Sequence, residues 1–391
     1  MRKLSALVLI STSLTVGLLN SSARAQTPPA YLTPSMMEEE LRFGPEWTLT
    51  SDELLESYPT GGSPVVTTSY SRKMVNGMEK ALRAQYRGFK NPPTFTNKKF
   101  HSHWDRQAFT VTYPNQFSLT VFSDPGVLEI NSSPSSQNFI QKNIGRIQRD
   151  IFATGKTLGL EPGSFAGSGH MHIEISKLHP DTVRNFLADY YNHTGLAAGA
   201  LNEDVFNSIG PGEMPEKNKA VLRNAFVNYD GNRKRGLKFL IEQIHKSYEI
   251  RRDDEIEDYR KSDRKTRPKK YFAVSFQSFA TLGTIEIRAI RPQTNAHSYL
   301  KLMKLWVARM KLADQQRELG YLVPIGKMKS LRGDPQAVLA DFDAYVSDAG
   351  LNFADYREFV LPWWQDEGGE FDQYLEAKAA KAPKVCSALF H

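Results

Sequence analysis

Imidazole and carboxylate side chains alternate in the stretch GSGHMHIEISKL, residues 167–178. His170, His172 and Glu174 stand two residues apart, and an apolar residue separates each from the next. Because successive side chains of a β-strand point to opposite faces, a strand here would turn both imidazoles and the carboxylate to one side. Such groups on one sheet face are typical of a divalent-metal or phosphate site. The same spacing also fits the solvated face of an amphipathic strand.

The stretch GTIEIRAIR, residues 283–291, repeats this arrangement. Glu286 and Arg288 would share one face, with isoleucine or alanine on the other. A carboxylate beside a guanidinium could hold a metal ion and stabilise a phosphoryl or carboxylate oxygen. A same-face salt bridge without further function is the alternative interpretation.

Two further carboxylates lie among apolar residues. Glu46 occurs in FGPEWT and Glu129 in GVLEINSSP. Either residue alone fits the rim of a sheet as well as a ligand. Together, the four stretches predict a cleft lined by acidic, imidazole and guanidinium groups.

The elements that must position these residues follow from periodicity. Apolar and β-branched runs predict strands at 41–49, 109–113, 118–124, 126–132, 271–279 and 283–291. Helical spacing predicts helices at 72–87, 135–158, 180–195, 215–227, 235–252 and 297–318. Clustered strands with long helices, rather than regular alternation, favour an α+β fold in which a largely antiparallel sheet lines a cleft and is covered by helices.

The series FGPEW, GVLEINSSP, GSGHMHIEI and GTIEIRAIRPQTNAHSYL resembles the ordered motifs of the glutamine synthetase-like carboxylate–amine ligases, amidoligase branch. The resemblance spans about residues 42–318 and implies a fold like the glutamine synthetase catalytic domain. It also implies an ATP- and Mg²⁺-dependent ligase. In that family ATP activates a carboxylate as an acyl phosphate, and an amine displaces phosphate to form an amide.

The resemblance also assigns roles to residues of this sequence. It implies four metal ligands: Glu46, Glu129, His172 and Glu286. It implies that the nucleotide is bound by His172 and Arg288, and that Arg288 stabilises the phosphoryl group in transfer. We predict Arg288, Glu174 and His170 as the catalytic residues. The sequence departs from the family at Thr48, where the first strand usually carries a second acid.

The first residues, MRKLSALVLISTSLTVGLLNSSARAQ, have the basic start, apolar run and small-residue site of a secretory signal. We therefore predict a signal peptide at 1–25, an N-terminal arm at 26–40, and a single catalytic domain with C-terminal helices at 41–391. The protein is expected to be exported, periplasmic or secreted, without a membrane span in its mature form. A net charge of +7, part of which lies in the leader, does not by itself indicate nucleic-acid binding.

Three functions remain open at this point. The first is an exported amidoligase whose carboxylate and amine substrates are cell-wall (peptidoglycan) peptides. The second is an ATP-independent, metal-dependent hydrolase of amide bonds in peptidoglycan. It would use zinc, with His101, His103 and Asp105 joining His170 and His172. The third is a catalytically inactive wall- or partner-binding protein, favoured by Thr48 and by the scarcity of ATP outside the cytoplasm.

Overall fold

The described part of the chain is a computed structural model of residues 31–56, 69–101, 105–124, 126–162, 169–201, 208–231, 236–249 and 272–359. The predicted leader at 1–25, the charged stretch at 251–270 and the residues after 359 lie outside it. Among the described helices, none is both long and apolar enough to cross a membrane.

A nine-stranded sheet dominates the described residues. Its strands are β1 (Phe43–Thr50), β2 (Thr94–His101), β3 (Asp105–Thr112), β4 (Ser118–Asp124), β5 (Val127–Ser132), β6 (Glu161–Pro162), β7 (Gly169–Glu174), β8 (Val274–Ser275) and β9 (Thr284–Ile290). They lie in the order β2-β3-β4-β5-β1-β7-β9-β8, with β6 beside β1. All of these pairings are antiparallel. The prediction of an α+β fold with a largely antiparallel sheet is therefore confirmed.

Helices accompany this sheet. They are α1 (Met37–Glu40), α2 (Asp52–Glu56), α3 (Ser69–Gln85), α4 (Gln137–Ile147), α5 (Thr154–Thr157), α6 (Pro180–Asn192), α7 (Glu216–Val227), α8 (Leu237–Ser247), α9 (Phe279–Leu282), α10 (Ala296–Glu318) and α11 (Pro335–Ser347). A π-helical segment, Gln148–Ala153, joins α4 to α5. Side-chain caps fix the starts of α4 and α10. Ser136 accepts a hydrogen bond from Phe139 N before α4, and Asn295 accepts one from Ser298 N before α10.

The two faces of the central strands differ in polarity. Trp47 of β1, Met171 of β7 and Ile287 of β9 are almost fully buried. Trp47 packs against Tyr299 of α10, with the ring centroids 5.1 Å apart. Burial of each such side chain contributes about 1.5–3 kcal/mol, and a one-residue slip would expose all of them. The apolar face therefore fixes which side chains of these strands point to the other side.

A buried carboxylate connects helices to the sheet away from these strands. Asp150 is fully buried in the π-helical segment. It accepts hydrogen bonds from the hydroxyls of Tyr86 (2.5 Å) and Tyr113 (2.6 Å), from Gln85 Nε2 (2.6 Å) and from Arg149 Nε (3.0 Å). These bonds join α3 and the turn after β3 to the segment between α4 and α5.

One predicted strand is shorter in the structure, and one observed strand was not predicted. The strand predicted at 271–279 is limited to Val274–Ser275, because Ser275 Oγ accepts a hydrogen bond from Gln277 N and the chain enters α9 at Phe279. The strand β2 was not predicted; it pairs with β3 along its whole length, from Thr94 opposite Thr112 onward.

Candidate functional site

Antiparallel register brings the predicted site residues together on β1, β7 and β9. Glu46 of β1 lies opposite His170 of β7, and His172 lies opposite Glu286 of β9. Along β7 burial alternates, with Met171 and Ile173 buried and the two histidines and Glu174 only partly so. The predicted alternation on β7 is confirmed, and the polar face of all three strands forms one surface.

Four side chains form a connected polar chain on this surface. His170 Nδ1 lies 3.0 Å from Glu46 Oε2 and 3.3 Å from Glu286 Oε1. Arg288 Nη1 donates to Glu286 Oε1 at 2.5 Å. The side chains of Glu286 and Arg288 are only 10% and 11% exposed, so this ion pair is shielded from water. The predicted same-face arrangement of Glu286 and Arg288 is confirmed.

The imidazole of His172 extends this connected polar chain of side chains on the other side of Glu46. His172 Nε2 lies 3.3 Å from Glu46 Oε1, and its Nδ1 lies 3.4 Å from the hydroxyl of Thr284. Each oxygen of the Glu46 carboxylate therefore has an imidazole beside it.

These contacts shift two pKa values. Burial alone would raise the pKa of Glu46, but the hydrogen bonds and positive charge of His170 and His172 outweigh it and lower that pKa well below its ordinary value. Burial alone would lower the pKa of His172, but the hydrogen bond to Glu46 and the charges of Glu286 and Glu46 raise it above its ordinary value. The pair therefore favours an ionised carboxylate beside a protonated imidazole.

Three of these groups are placed to hold a metal ion. Glu46, His170 and Glu286 each offer a ligand atom, and these atoms lie within 4.8 Å of one another. Two carboxylates and an imidazole suit a divalent cation. The described chain thus fits a metal site, with His170 in the position that the resemblance gave to His172.

Glu129 lies on the same face but outside that group of three. It is opposite Thr48 in the pairing of β5 with β1, and Asn131 Nδ2 donates to its Oε1 at 3.1 Å. Thr48, which stands where the family usually has a second acid, is itself buried on this strand. The register therefore places Glu129 and Thr48 side by side. Thr48 follows Glu46 by two residues and is its next neighbour on this face of β1.

A cavity of about 360 Å³ adjoins the polar chain. It is lined by Arg42, Gly44, Pro45, Glu46, Asn131, Ser132, Pro134, His172, Glu174, Leu282 and Thr284. Glu174 faces this cavity rather than the three potential metal ligands, and Ser176 Oγ (3.3 Å) and Lys177 Nζ (3.4 Å) lie beside its carboxylate. The site therefore combines a cation-binding group with room for an organic substrate.

Three cavity-lining residues were not predicted from the sequence patterns: Arg42, Asn131 and Thr284. Arg42 precedes Glu46 by four residues and Thr284 precedes Glu286 by two, so strand alternation starting from the predicted acids would have found both. Of the residues of the zinc alternative, His103 and the side chains of His101 and Asp105 lie outside the described part of the chain.

Comparison with known proteins gave only distant likenesses. No family model and no curated protein matches the chain. Among solved structures, ligand-free GmaS, a gamma-glutamylmethylamide synthetase, is 12% identical with a TM-score of 0.35, over 85% of this chain and 72% of that one. The complex of GmaS with ADP is 12% identical with a TM-score of 0.33, over 84% and 73%. Likenesses at this level carry no argument about function, so the proposals below depend on the residues of this chain.

Proposed function

We propose that this chain is a glutamine synthetase-like carboxylate–amine ligase that forms an amide bond with the help of Mg²⁺ and ATP. The observation that supports the proposal most strongly is the convergence of Glu46, His170, Glu286 and Arg288 on one sheet face. These residues come from three of the four motifs that resemble the family. Three of their ligand atoms lie within 4.8 Å of one another, close enough to bind one cation.

In this proposal Glu46, His170 and Glu286 hold the metal. A divalent cation there would neutralise the crowded oxygens of a nucleotide triphosphate. Arg288, which is shielded and fixed by Glu286, stabilises the charge on the phosphoryl group during its transfer to the substrate carboxylate. His172 is favoured in its protonated form and binds phosphate oxygens beside it.

Glu174 takes the remaining chemical role. The amine must lose a proton as it attacks the activated carboxylate, and a carboxylate in the cavity can accept that proton. Glu174 lines the cavity and is 22% exposed, so a substrate can reach it. It is therefore the proposed general base, with Glu129 a further ligand for a second cation on the same face.

The substrates and the location are part of the proposal. The leader-like first residues support export, and an exported ligase would find its carboxylates and amines in the peptides of a cell wall.

Calorimetric titration of Mg-ATP into residues 26–391 tests the function. We expect binding by the parent and its loss in Glu286→Gln, because the amide keeps the shape but removes a ligand charge. Glu318→Gln is the matched control, since Glu318 is exposed and lies at the end of α10. Equal Mg-ATP binding by the parent and Glu286→Gln would remove the assigned metal role. Absence of binding by the parent would remove the ligase proposal.

A second candidate is the metal-dependent amide hydrolase that works without ATP. The imidazole of His170 among the three ligands favours it, because nitrogen ligands suit zinc better than Mg²⁺. Zinc that stays bound through desalting, together with no response to Mg-ATP, would support this candidate over the ligase.

A further inference from the structure

Arg42 is an unassigned cation in the lining of the cavity. It directly precedes β1, is partly buried, and lines the cavity with Glu174. Its backbone oxygen accepts from Glu174 N at 2.9 Å, so the two residues are neighbours across the strands. No described residue forms an ion pair or hydrogen bond with its guanidinium. An arginine that is partly desolvated and has no partner among the described residues is suited to bind an anionic ligand.

The surroundings of Arg42 restrict the kind of anion. Glu174 and Glu46 also line the cavity, and Glu174 lies on the adjacent strand. These carboxylates would repel a multiply charged phosphate more strongly than a singly charged carboxylate. Pro45, Pro134 and Leu282 supply an apolar lining that suits a hydrocarbon chain. The pattern therefore favours a carboxylate group of an organic substrate at Arg42 over a nucleotide phosphate.

We propose that Arg42 is a specificity-determining residue that pairs with a carboxylate of the organic substrate in this cavity. The proposal rests on the ligase function above, because it concerns the substrate side of the same site. The planar guanidinium can donate two parallel hydrogen bonds to a carboxylate, which fixes the orientation of the bound acid as well as its affinity. The hydrocarbon part would lie along the three apolar residues, with the far end of the ligand directed toward Glu46 and His172.

Titration of n-butyrate and of n-butanol into the protein with Mg²⁺ present, monitored by saturation-transfer NMR, tests this role. The two probes have the same chain and differ in the carboxylate. We expect the parent to bind butyrate at least about tenfold more tightly than butanol. Arg42→Met should abolish this preference, and Arg42→Lys should retain part of it because the charge stays but the planar fork is lost. Arg332→Met, at an exposed arginine away from the cavity, should keep the full preference.

Mg-ADP, titrated into the same variants, separates a carboxylate role from a phosphate role. The expected result is unchanged Mg-ADP affinity in Arg42→Met. Loss of Mg-ADP binding with the butyrate preference intact would overturn the proposal and assign Arg42 to the nucleotide. An unchanged butyrate preference in folded Arg42→Met would also overturn it. If Arg42→Met does not fold, Arg42→Gln replaces it, because glutamine also lacks the charge. Full retention of the preference for butyrate in Arg42→Gln would likewise overturn the proposal. Failure of the parent to bind any Mg-nucleotide would refute the ligase function while leaving the butyrate comparison measurable.

Discussion

Removal of Arg288 should strengthen binding of a bare divalent cation. Arg288 Nη1 lies 2.5 Å from Glu286 Oε1, the same oxygen that lies 3.3 Å from His170 Nδ1. A cation bound to that oxygen at about 2.1 Å would lie within about 4.6 Å of the guanidinium nitrogen. The arginine therefore competes for the ligand atom and repels the ion.

The size of the effect follows from Coulomb's law. A single and a double positive charge about 4.6 Å apart repel by about 1.8 kcal/mol even with the dielectric constant of water. That free energy corresponds to about a 20-fold change in affinity, and shielding of the site from water makes it larger. We therefore expect Arg288→Met to bind Mn²⁺ about 20-fold more tightly than the parent, and Mg-ATP more weakly.

The electron paramagnetic resonance signal of free Mn²⁺, measured at low ionic strength, gives the affinity directly. Low salt is needed because ions screen exposed charges. Arg288→Lys should stay near the parent since it keeps the charge, and Arg332→Met controls for the change in net charge at an exposed position. Unchanged or weaker Mn²⁺ binding by Arg288→Met would show that Arg288 positions Glu286 rather than competing for it, and would refute the reasoning.

Three other changes test the contacts around the site and its support. Glu46→Gln should lower the pKa of His172 toward 6.5, as measured by NMR. The raised pKa of His172 gives stability that is lost as pH rises through it, and the lowered pKa of Glu46 gives stability that is lost as pH falls below 4.5. Glu46→Gln should thus destabilise the fold more at about pH 6 than at about pH 9, and the reverse order in urea unfolding would contradict the assignment. Asp150→Asn should cost about 3 kcal/mol in urea unfolding, because one carboxylate oxygen becomes an NH2 group that cannot accept two of the four hydrogen bonds, and the other two keep only a neutral acceptor; a loss below about 1 kcal/mol would contradict this account. Gly283→Ala should destabilise by about 1–3 kcal/mol, since Gly283 has a φ of 66° and an added Cβ would lie 2.7 Å from Ser176 Cβ; an unchanged melting temperature would show that this turn can adjust.

Sequence periodicity predicted which side chains share a face but not which strands lie side by side. Alternation along β7 and β9 requires only local information, because the apolar residues must enter the core. The meeting of Glu46 with His170 depends on the register between strands whose paired residues are 124 positions apart. Local spacing contains no signal for such a pairing, and the resemblance to a family implied His172 rather than His170 as the metal ligand beside Glu46.

The choice between the two histidines shows the same limit in more detail. The pairing of β7 with β9 shifts register between Gly169 and Met171, at the position of His170. A β-bulge re-aims the side chain at the irregular residue, and here His170 Nδ1 contacts both Glu46 and Glu286. Regular alternation treats His170 and His172 as equivalent, whereas the register with β1 sets His170 opposite Glu46 and His172 opposite Gly44, and the irregularity beside β9 falls at His170.

The charges of the site form a balanced set that links cation binding to phosphate binding. Within the described residues, Glu46 is held by two imidazoles and Glu286 by Arg288. A cation that takes both carboxylates as ligands must compete with these partners. His172 and Arg288 would then lose their anionic contacts and become available to phosphate oxygens, which suit them well. In the proposed function, such a site would bind metal and nucleotide better together than separately, because each relieves the unpaired charge that the other would leave. The cationic partners of the acids are therefore as much a part of the proposed ligase chemistry as the acids themselves.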